Sequence, residues 1–372
     1  MNKKSLFIAA TGQHVGKTTT CLGLISGLKK RYERVGFMKP VGQEHVEMDK
    51  GIHVDKDVVL FKHHFQPQDH YKHMSPVLFP RGFTRDYLDG KVDQKDLREQ
   101  IVKSYASIRM QNSFVIVEGT GHTGVGSIVG LNNAQIASLL NLDVILVASG
   151  GLGSSFDELM LNKTQCESYG VNVAGVILNK VHQEKRDMII DYMTKALKSW
   201  GIPLLGCIPY DIFLSTPTMR DFEQLFDSKL MSGQDHLYRH FQHNRLVATS
   251  IDNYRNLVTP SQLIITPASR EDIILTTLSK YWDMQASSPK KDLEAGMILT
   301  GSTPPDPQVV EQLKKARIPM IYAPVSSYTA MKMITSFTAK IRAEDVEKIK
   351  EAVDIVESHI DFETLSSLCG EK

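Results

Sequence analysis

Up to about residue 210 the chain alternates short apolar runs with longer stretches of mixed polarity. The runs are SLFIAA at 5–10, RVGFMKPV at 34–41, SFVIVEG at 113–119, LDVILVAS at 142–149, VAGVILNKV at 173–181 and LLGCIPY at 204–210. Nearly continuous apolar strands are buried on both faces, and helices between them mark a parallel α/β sheet. Ligands of such sheets sit outside the carboxyl ends of the strands. The pattern therefore predicts that Lys17, Lys39, Glu118, the GGLGSS loop at 150–155, Asn179 and Pro209 share one rim, although they are far apart in the chain.

After IPYDIFLSTPTMRDF the pattern changes to a polar, helical, histidine-bearing stretch and then a second set of strands. LVATSI, QLIITPASRED, AGMILTGSTPPDP and IPMIYAPVSSY read as strands ending in loops, with helices such as REDIILTTLSKYW and PQVVEQLKKA between them. This is a second α/β unit of ordinary domain size. From Arg342 a charged amphipathic helix is predicted, with Val346, Ile349, Val353 and Ile355 or Val356 on its apolar side. The expected division is a nucleotide-binding domain at 1–212, a smaller domain at 213–335 and a helical tail at 336–372.

Charge and composition narrow the function. Among 372 residues, 43 basic and 42 acidic side chains leave a formal charge of +1, which gives no footprint for nucleic acid or an anionic membrane. The apolar run after MNKK is too short for a signal-peptide core, and no run is long enough for a membrane span. Cys21, Cys166, Cys207 and Cys369 are scattered, with no C-x-x-C pair, so a cytoplasmic location is expected.

The candidate chemistry begins at TGQHVGKTTT, between the first strand and a helix-like run. Gly12 and Gly16 permit a tight loop whose backbone N–H groups, through Gln13, His14 and Val15, converge on a phosphate at a helix N-terminus. Lys17 and Thr18, followed by Thr19, fall where a phosphate-binding lysine and a magnesium-holding hydroxyl belong. The strict G-x-x-x-x-G-K-[ST] pattern fails at one place, since Thr11 occupies the first glycine position. Lys39 delivers a second cation from another strand, suited to charge on a transferring phosphoryl group. Asp57 and Glu118 are candidate Mg²⁺ ligands, and Asp57 also reads as a helix-start carboxylate. GTGHTG at 119–124 matches a dinucleotide motif, yet it neither opens a helix at once nor precedes an acid at the next strand end. It is read as a loop enclosing substrate beside Glu118. His236, His240 and His243 are read as exposed helix histidines and receive no role, and neither do His63 and His64.

FIAATGQHVGKTTTCLGL, GFMKPVGQ, VDKDVVLF, VIVEGTG, VILVASGGLGS, GVILNKV and GCIPYD together resemble the dethiobiotin synthetase and cobyrinic acid diamide synthase group of P-loop proteins. Their order is most similar to the N-terminal region of long bacterial phosphotransacetylases. STPTMRDF, LIITPASREDIIL, MILTGSTPPDP and IPMIYAPVSSYTA resemble the DRTGG domain that follows that region. The resemblance implies that Lys17 and Thr18 bind ATP phosphates and Mg²⁺, that Lys39 faces the reaction centre, and that Asp57 and Glu118 hold metal. It also implies that Asn179 and the segment Ile208 to Tyr210, with Pro209, line the adenine pocket. His14 stands where dethiobiotin synthetases carry an acid, and GTGHTG replaces their GAGG type of loop. TGST replaces a Thr-Gly-Gly in the second domain, and Ser269 precedes Arg270 where an acid is expected. In long phosphotransacetylases the acetyl-transfer domain follows a helix like that at 342–360, whereas here about ten residues follow it. The expectation is an ATP–Mg²⁺-binding regulatory or scaffolding protein, not by itself a phosphotransacetylase, forming a homodimer and serving a separate metabolic enzyme. The alternative is an ATP-dependent ligase of the dethiobiotin synthetase type.

Overall fold

The computed structural model describes residues 4–48, 51–288 and 291–368. The chain divides into two compact units, Met1–Asp211 with Ile341–Lys372, and Ile212–Lys340.

The first unit opens with β1 (Lys4–Ala10), α1 (Lys17–Lys29) and β2 (Val35–Met38). Two short ladders follow: β3 (Val41–Gly42), β4 (His45–Met48) and β5 (Ile52–Asp55), then α2 (Lys56–Phe65), α3 (Tyr71–Met74), β6 (Val77–Leu78) and α4 (Phe83–Leu88). Next come α5 (Gln94–Gln111), β7 (Phe114–Glu118), α6 (Asn133–Leu139), β8 (Val144–Ser149), α7 (Gly153–Ser168), β9 (Val173–Val181), α8 (Arg186–Lys198) and β10 (Leu204–Pro209). Six strands form one sheet in the order β10-β9-β8-β1-β7-β2, every neighbouring pair parallel. Because β1, β7 and β8 are buried on both faces, their apolar runs are continuous rather than alternating. With all six strands parallel, their carboxyl ends lie along one rim. The β4–β5 hairpin and the β3–β6 pair were not expected from the sequence; the hairpin lies between Lys39 and α2, and β6 returns beyond α3 to pair with β3.

The second unit holds α9 (Ile212–Ser215), α10 (Met219–Phe226), β11 (Leu230–Ser232), β12 (His243–Leu246), α11 (Ile251–Leu257), β13 (Gln262–Pro267), α12 (Glu271–Ser287), β14 (Gly296–Thr300), α13 (Pro307–Lys315), β15 (Met320–Ala323) and α14 (Ser327–Ser336). Its sheet runs β11-β15-β14-β13-β12, parallel except for the β11–β15 pair. Alternate residues of β13 supply two cores, Ile264 on one side and Leu263 with Ile265 on the other. The expected strand LVATSI is corrected: the strand ends at Leu246, because Ser250 accepts from Asn253 N–H and starts α11. The histidine stretch is not a helix either. His236 ends a single 3₁₀ turn and His243 opens β12, so the three histidines share no helical face.

Residues 341–372 return to the first unit as α15 (Val346–Glu357) and α16 (Phe362–Leu368). The predicted single helix breaks between them, where Ile360 bridges Gly206 of β10. Val346 is 68 % exposed, so it leaves the expected apolar face, which Lys348, Ile349, Ala352 and Val356 form instead. Among the cysteines, Cys21, Cys166 and Cys207 are free and buried; Cys369 lies outside the described residues.

Candidate functional site

The loop from Thr11 to Gly16 joins β1 to α1. Gly16 adopts φ 98°, the left-handed region, and an added Cβ would stand 2.2 Å from Asn179 Nδ2, so only glycine fits. The N-terminus of α1 has no side-chain cap and no acid in its first turn. No side chain of the helix itself therefore competes for its orphan N–H groups and positive dipole end, which suits an anion.

Side chains from two other elements bind the loop carbonyls. Asn162 Nδ2 donates to Thr11 O at 3.3 Å, Lys180 Nζ to His14 O at 2.7 Å, and Asn179 Nδ2 to Val15 O at 2.9 Å. Peptide groups whose oxygens are turned toward these donors have their N–H groups free to face the other way. Thr11, in the first-glycine position, turns its hydroxyl to Glu158 Oε2 at 2.9 Å, which explains how the loop tolerates it. Gln13 and His14 are exposed and Val15 is buried.

The two lysines and three acids converge beside this loop. Lys17 Nζ donates to Gly121 O at 2.6 Å; burial lowers its pKa, partly opposed by the Glu118 charge. Lys39, just beyond β2, bonds to Asp57 and lies 3.4 Å from Asp55 and 3.7 Å from Glu118. Burial alone would lower the Lys39 pKa, but Asp57, Glu118 and Asp55 together hold it well above the ordinary value. Thr18 Oγ1 donates to Glu118 Oε1 at 3.0 Å. Glu118 is 1 % exposed, and burial raises its pKa to about 7 against the pull of Lys39 and Lys17. Its Oε2 accepts no hydrogen bond, a buried oxygen of the kind a cation satisfies. Among the described residues no three His, Cys, Asp or Glu side chains are arranged to hold a metal by themselves. Mg²⁺ usually takes one or two carboxylates and fills its shell with water and phosphate oxygens, so Thr18, Glu118 and Asp57 form a fitting partial set.

Asp57 is both a first-turn residue of α2 and a partner of Lys39, so its two sequence readings coexist. The residue that caps α2 is Asp55, whose Oδ1 accepts from Asp57 N–H at 2.9 Å. Asp55 was missed in the sequence, although acids two apart before an apolar run signal a cap. Lys180 was missed as well; it sits at φ 58° without being glycine, which no sequence pattern announced.

Gly119 to Gly124 form no helix start. A 3₁₀ turn at Ser127–Val129 intervenes before α6, and Asn133 pins the loop through Thr120 O and His122 O. Asn179 is buried with its amide engaged on the loop and on Lys180 N–H, so it braces the cradle directly. Pro209 ends the edge strand β10, three strands from β1, and beside it the rings of Tyr210 and His182 lie 5.8 Å apart. Thr19 follows Thr18 on α1 and is partly buried.

A family profile described as an AAA domain matches residues 4–218. The chain belongs to this family of P-loop, dethiobiotin synthetase-like domains. A second profile, the DRTGG domain, matches residues 223–337. The phosphate acetyltransferase of Pseudomonas putida is 29 % identical over 382 residues, covering 99 % of this chain and 52 % of that protein. That of Escherichia coli is 22 % identical over 393 residues, covering 98 % and 52 %. The chain thus spans about half the length of the curated relatives it matches, as expected for likeness to their N-terminal region. Among solved structures, the MinD cell division protein of Aquifex aeolicus matches with TM-score 0.35 and 15 % identity, covering 57 % of this chain and 84 % of that one. The CBS and DRTGG domains of the regulatory region of Clostridium perfringens pyrophosphatase match with TM-score 0.28 and 12 % identity, covering 57 % and 86 %. No helix among the described residues is long and apolar enough to cross a membrane.

Proposed function

We propose that the first unit binds ATP with Mg²⁺ and that the protein is a regulatory or scaffolding module. Nucleotide on the P-loop would be coupled to ligand or subunit contacts of the DRTGG unit. The observation that carries this reading is the uncapped start of α1 with Lys17, Thr18, Lys39 and Glu118 gathered beside it. The backbone N–H groups of 12–18 and Lys17, now on Gly121 O, would hold the phosphates, and Thr18, Glu118 and Asp57 would hold the metal. Bound Mg²⁺ neutralises phosphate charge and fixes the phosphate geometry. Calorimetry with ATP and Mg²⁺ tests the reading: Lys17→Ala should weaken binding by about tenfold or more, a lost charge-assisted contact, and unchanged affinity refutes it.

One feature favours a second reading, an ATP-dependent ligase. Lys39 is held by three acids, Asp55 and Glu118 at strand ends and Asp57 in the first turn of α2, a preorganised cation rather than a surface lysine. An acceptor that raises ATP turnover by orders of magnitude would select the ligase, and slow hydrolysis with every acceptor tried selects the regulator. We further propose a homodimer, by analogy with folds that pair across the nucleotide site, and a separate metabolic enzyme as partner. Light scattering with and without ATP decides the first point.

A further inference from the structure

A cleft of about 870 Å³ lies within the first unit, between the segment that follows β3 and the loop from Phe79 into α4. That volume is in the range of small-molecule sites. Lys56, Arg81 and Arg85 line it together with His45, while Glu44 is the one carboxylate in its wall among the described residues. Glu44 stands 3.7 Å from Lys56, and both are well exposed, so that pair neutralises little. Arg81 and Arg85 have no carboxylate partner among the described residues, and the nearest acid in sequence, Asp86, is taken by Lys91 at 3.0 Å. A chain with a net charge of +1 therefore concentrates unneutralised positive charge in one concavity.

The cleft also has an apolar surface. The Phe79 and Phe83 rings stack at 4.4 Å between centroids, and both line the same space. Guanidinium groups recognise planar oxyanions by paired hydrogen bonds, and a stacked ring pair accepts a flat apolar body. The cleft adjoins the Lys39 centre along the chain: Lys56 stands between Asp55 and Asp57, and Glu44 O accepts from Lys56 N–H at 2.8 Å.

We propose that this cleft binds a small organic anion, a carboxylate or phosphate monoester on a flat apolar body, as the second ligand of the nucleotide domain. Arg81 and Arg85 hold the anionic head, and Phe79 and Phe83 cover the body. The proposal deepens the ATP reading, since it names the class of acceptor or effector that the nucleotide domain would take as its second ligand, but the binding itself does not require nucleotide.

Benzoate and phenyl phosphate are suitable probes, followed by ligand-observed NMR on the full chain. The wild-type protein should bind at least one at about 10 mM or below, and the choice between them identifies carboxylate or phosphate as the head. Arg81→Ala/Arg85→Ala should weaken binding by about tenfold, the loss of charge-assisted contacts, with ATP affinity and thermal midpoint unchanged. Phe83→Leu should weaken benzoate and leave inorganic phosphate, a head without a body, unaffected. Binding that survives the double arginine variant but disappears in Lys17→Ala places the anion in the phosphate loop and overturns the proposal. So does a wild-type protein that binds neither probe. A protein that binds a probe through the arginines yet shows no affinity for ATP retains the cleft and loses the nucleotide reading.

Discussion

The ammonium of Lys180 donates to the carbonyl of His14 at 2.7 Å, and the two residues share a left-handed backbone, each at φ 58°. A non-glycine residue in that region carries strain of about 1–2 kcal/mol. Two such residues facing each other across a hydrogen bond describe a loop held in shape by its neighbour. Lys180→Met keeps the stem and removes the donor. It should weaken ATP binding several-fold to about tenfold, the value of a charged hydrogen bond, while the thermal midpoint stays within a few degrees. Lys180→Arg should restore part of the affinity. Titration calorimetry beside thermal unfolding separates the two effects; equal ATP affinity in all three proteins would remove Lys180 from the cradle.

Gly16 gives a sharper steric test. A methyl there would overlap Asn179 Nδ2 and also sit at φ 98°. Gly16→Ala should therefore break the Asn179 to Val15 bond, cost about 2 kcal/mol or more of stability, and abolish ATP binding. Gly12→Ala is the control. Its added Cβ meets nothing closer than Val15 Cγ2 at 3.5 Å, so stability measured by urea unfolding should hardly change.

Lys39 neutralises three buried or half-buried acids, and Lys39→Ala would leave Asp55, Asp57 and Glu118 facing one another. Removing one partner of a buried ion cluster costs about 3–5 kcal/mol. The variant should be destabilised by that order without metal, and Mg²⁺ should recover part of the loss by replacing the missing charge. A denaturation series with and without Mg²⁺ checks this, and an undiminished midpoint would show that the acids are neutralised in another way.

The sheet of the first unit was legible because strands buried on both faces leave an unbroken apolar signature, and SFVIVEG or LDVILVAS can be little else. The P-loop was legible because glycine and lysine at fixed spacing have few other uses. What escaped depends on long-range packing. Asn162 and Lys180 act on loop carbonyls more than 140 residues away in sequence, which local pattern cannot express. Asp55 hid as one of two nearby acids until the hairpin β4–β5 brought both to Lys39. LVATSI looked like a strand because its apolar residues outweighed Ser250, whose capping bond ends the extended run. The break after α15 is set by the bridge of Ile360 to Gly206, again a tertiary contact.

The return of the C-terminal helices to α1 rests on two glycines one helical turn apart. An added Cβ on Gly23 would stand 2.3 Å from Val356 Cβ, and one on Gly27 would stand 2.1 Å from Phe362 Cζ. Close approach of the helices needs both positions bare. Gly23→Ala raises intrinsic helix propensity by about 1 kcal/mol, yet here it should destabilise the first unit by about 1–3 kcal/mol because overpacking prevails. Gly23→Ala with Val356→Ala should recover part of the loss. Stability equal to or above wild type in the single variant would mean that α15 does not dock on α1.

Glu223 supplies a pH-dependent term in the second unit. Burial would raise its pKa, but Leu230 N–H at 2.9 Å, Arg220 at 2.5 Å and Lys229 at 3.8 Å outweigh that, and the folded value lies below the ordinary 4.5. A depressed carboxyl binds fewer protons folded than unfolded, so its contribution is complete above pH 4.5 and disappears as the pH falls through the lower folded value. Glu223→Gln keeps an acceptor for Leu230 N–H and removes the charge. At pH 7 it should lose about 1 kcal/mol, whereas in acid strong enough to protonate Glu223 in both states the variant and the wild type should unfold together. Urea unfolding across that range reads the difference directly; a gap that persists at the acid end would assign the effect to packing around the side chain instead of to its charge.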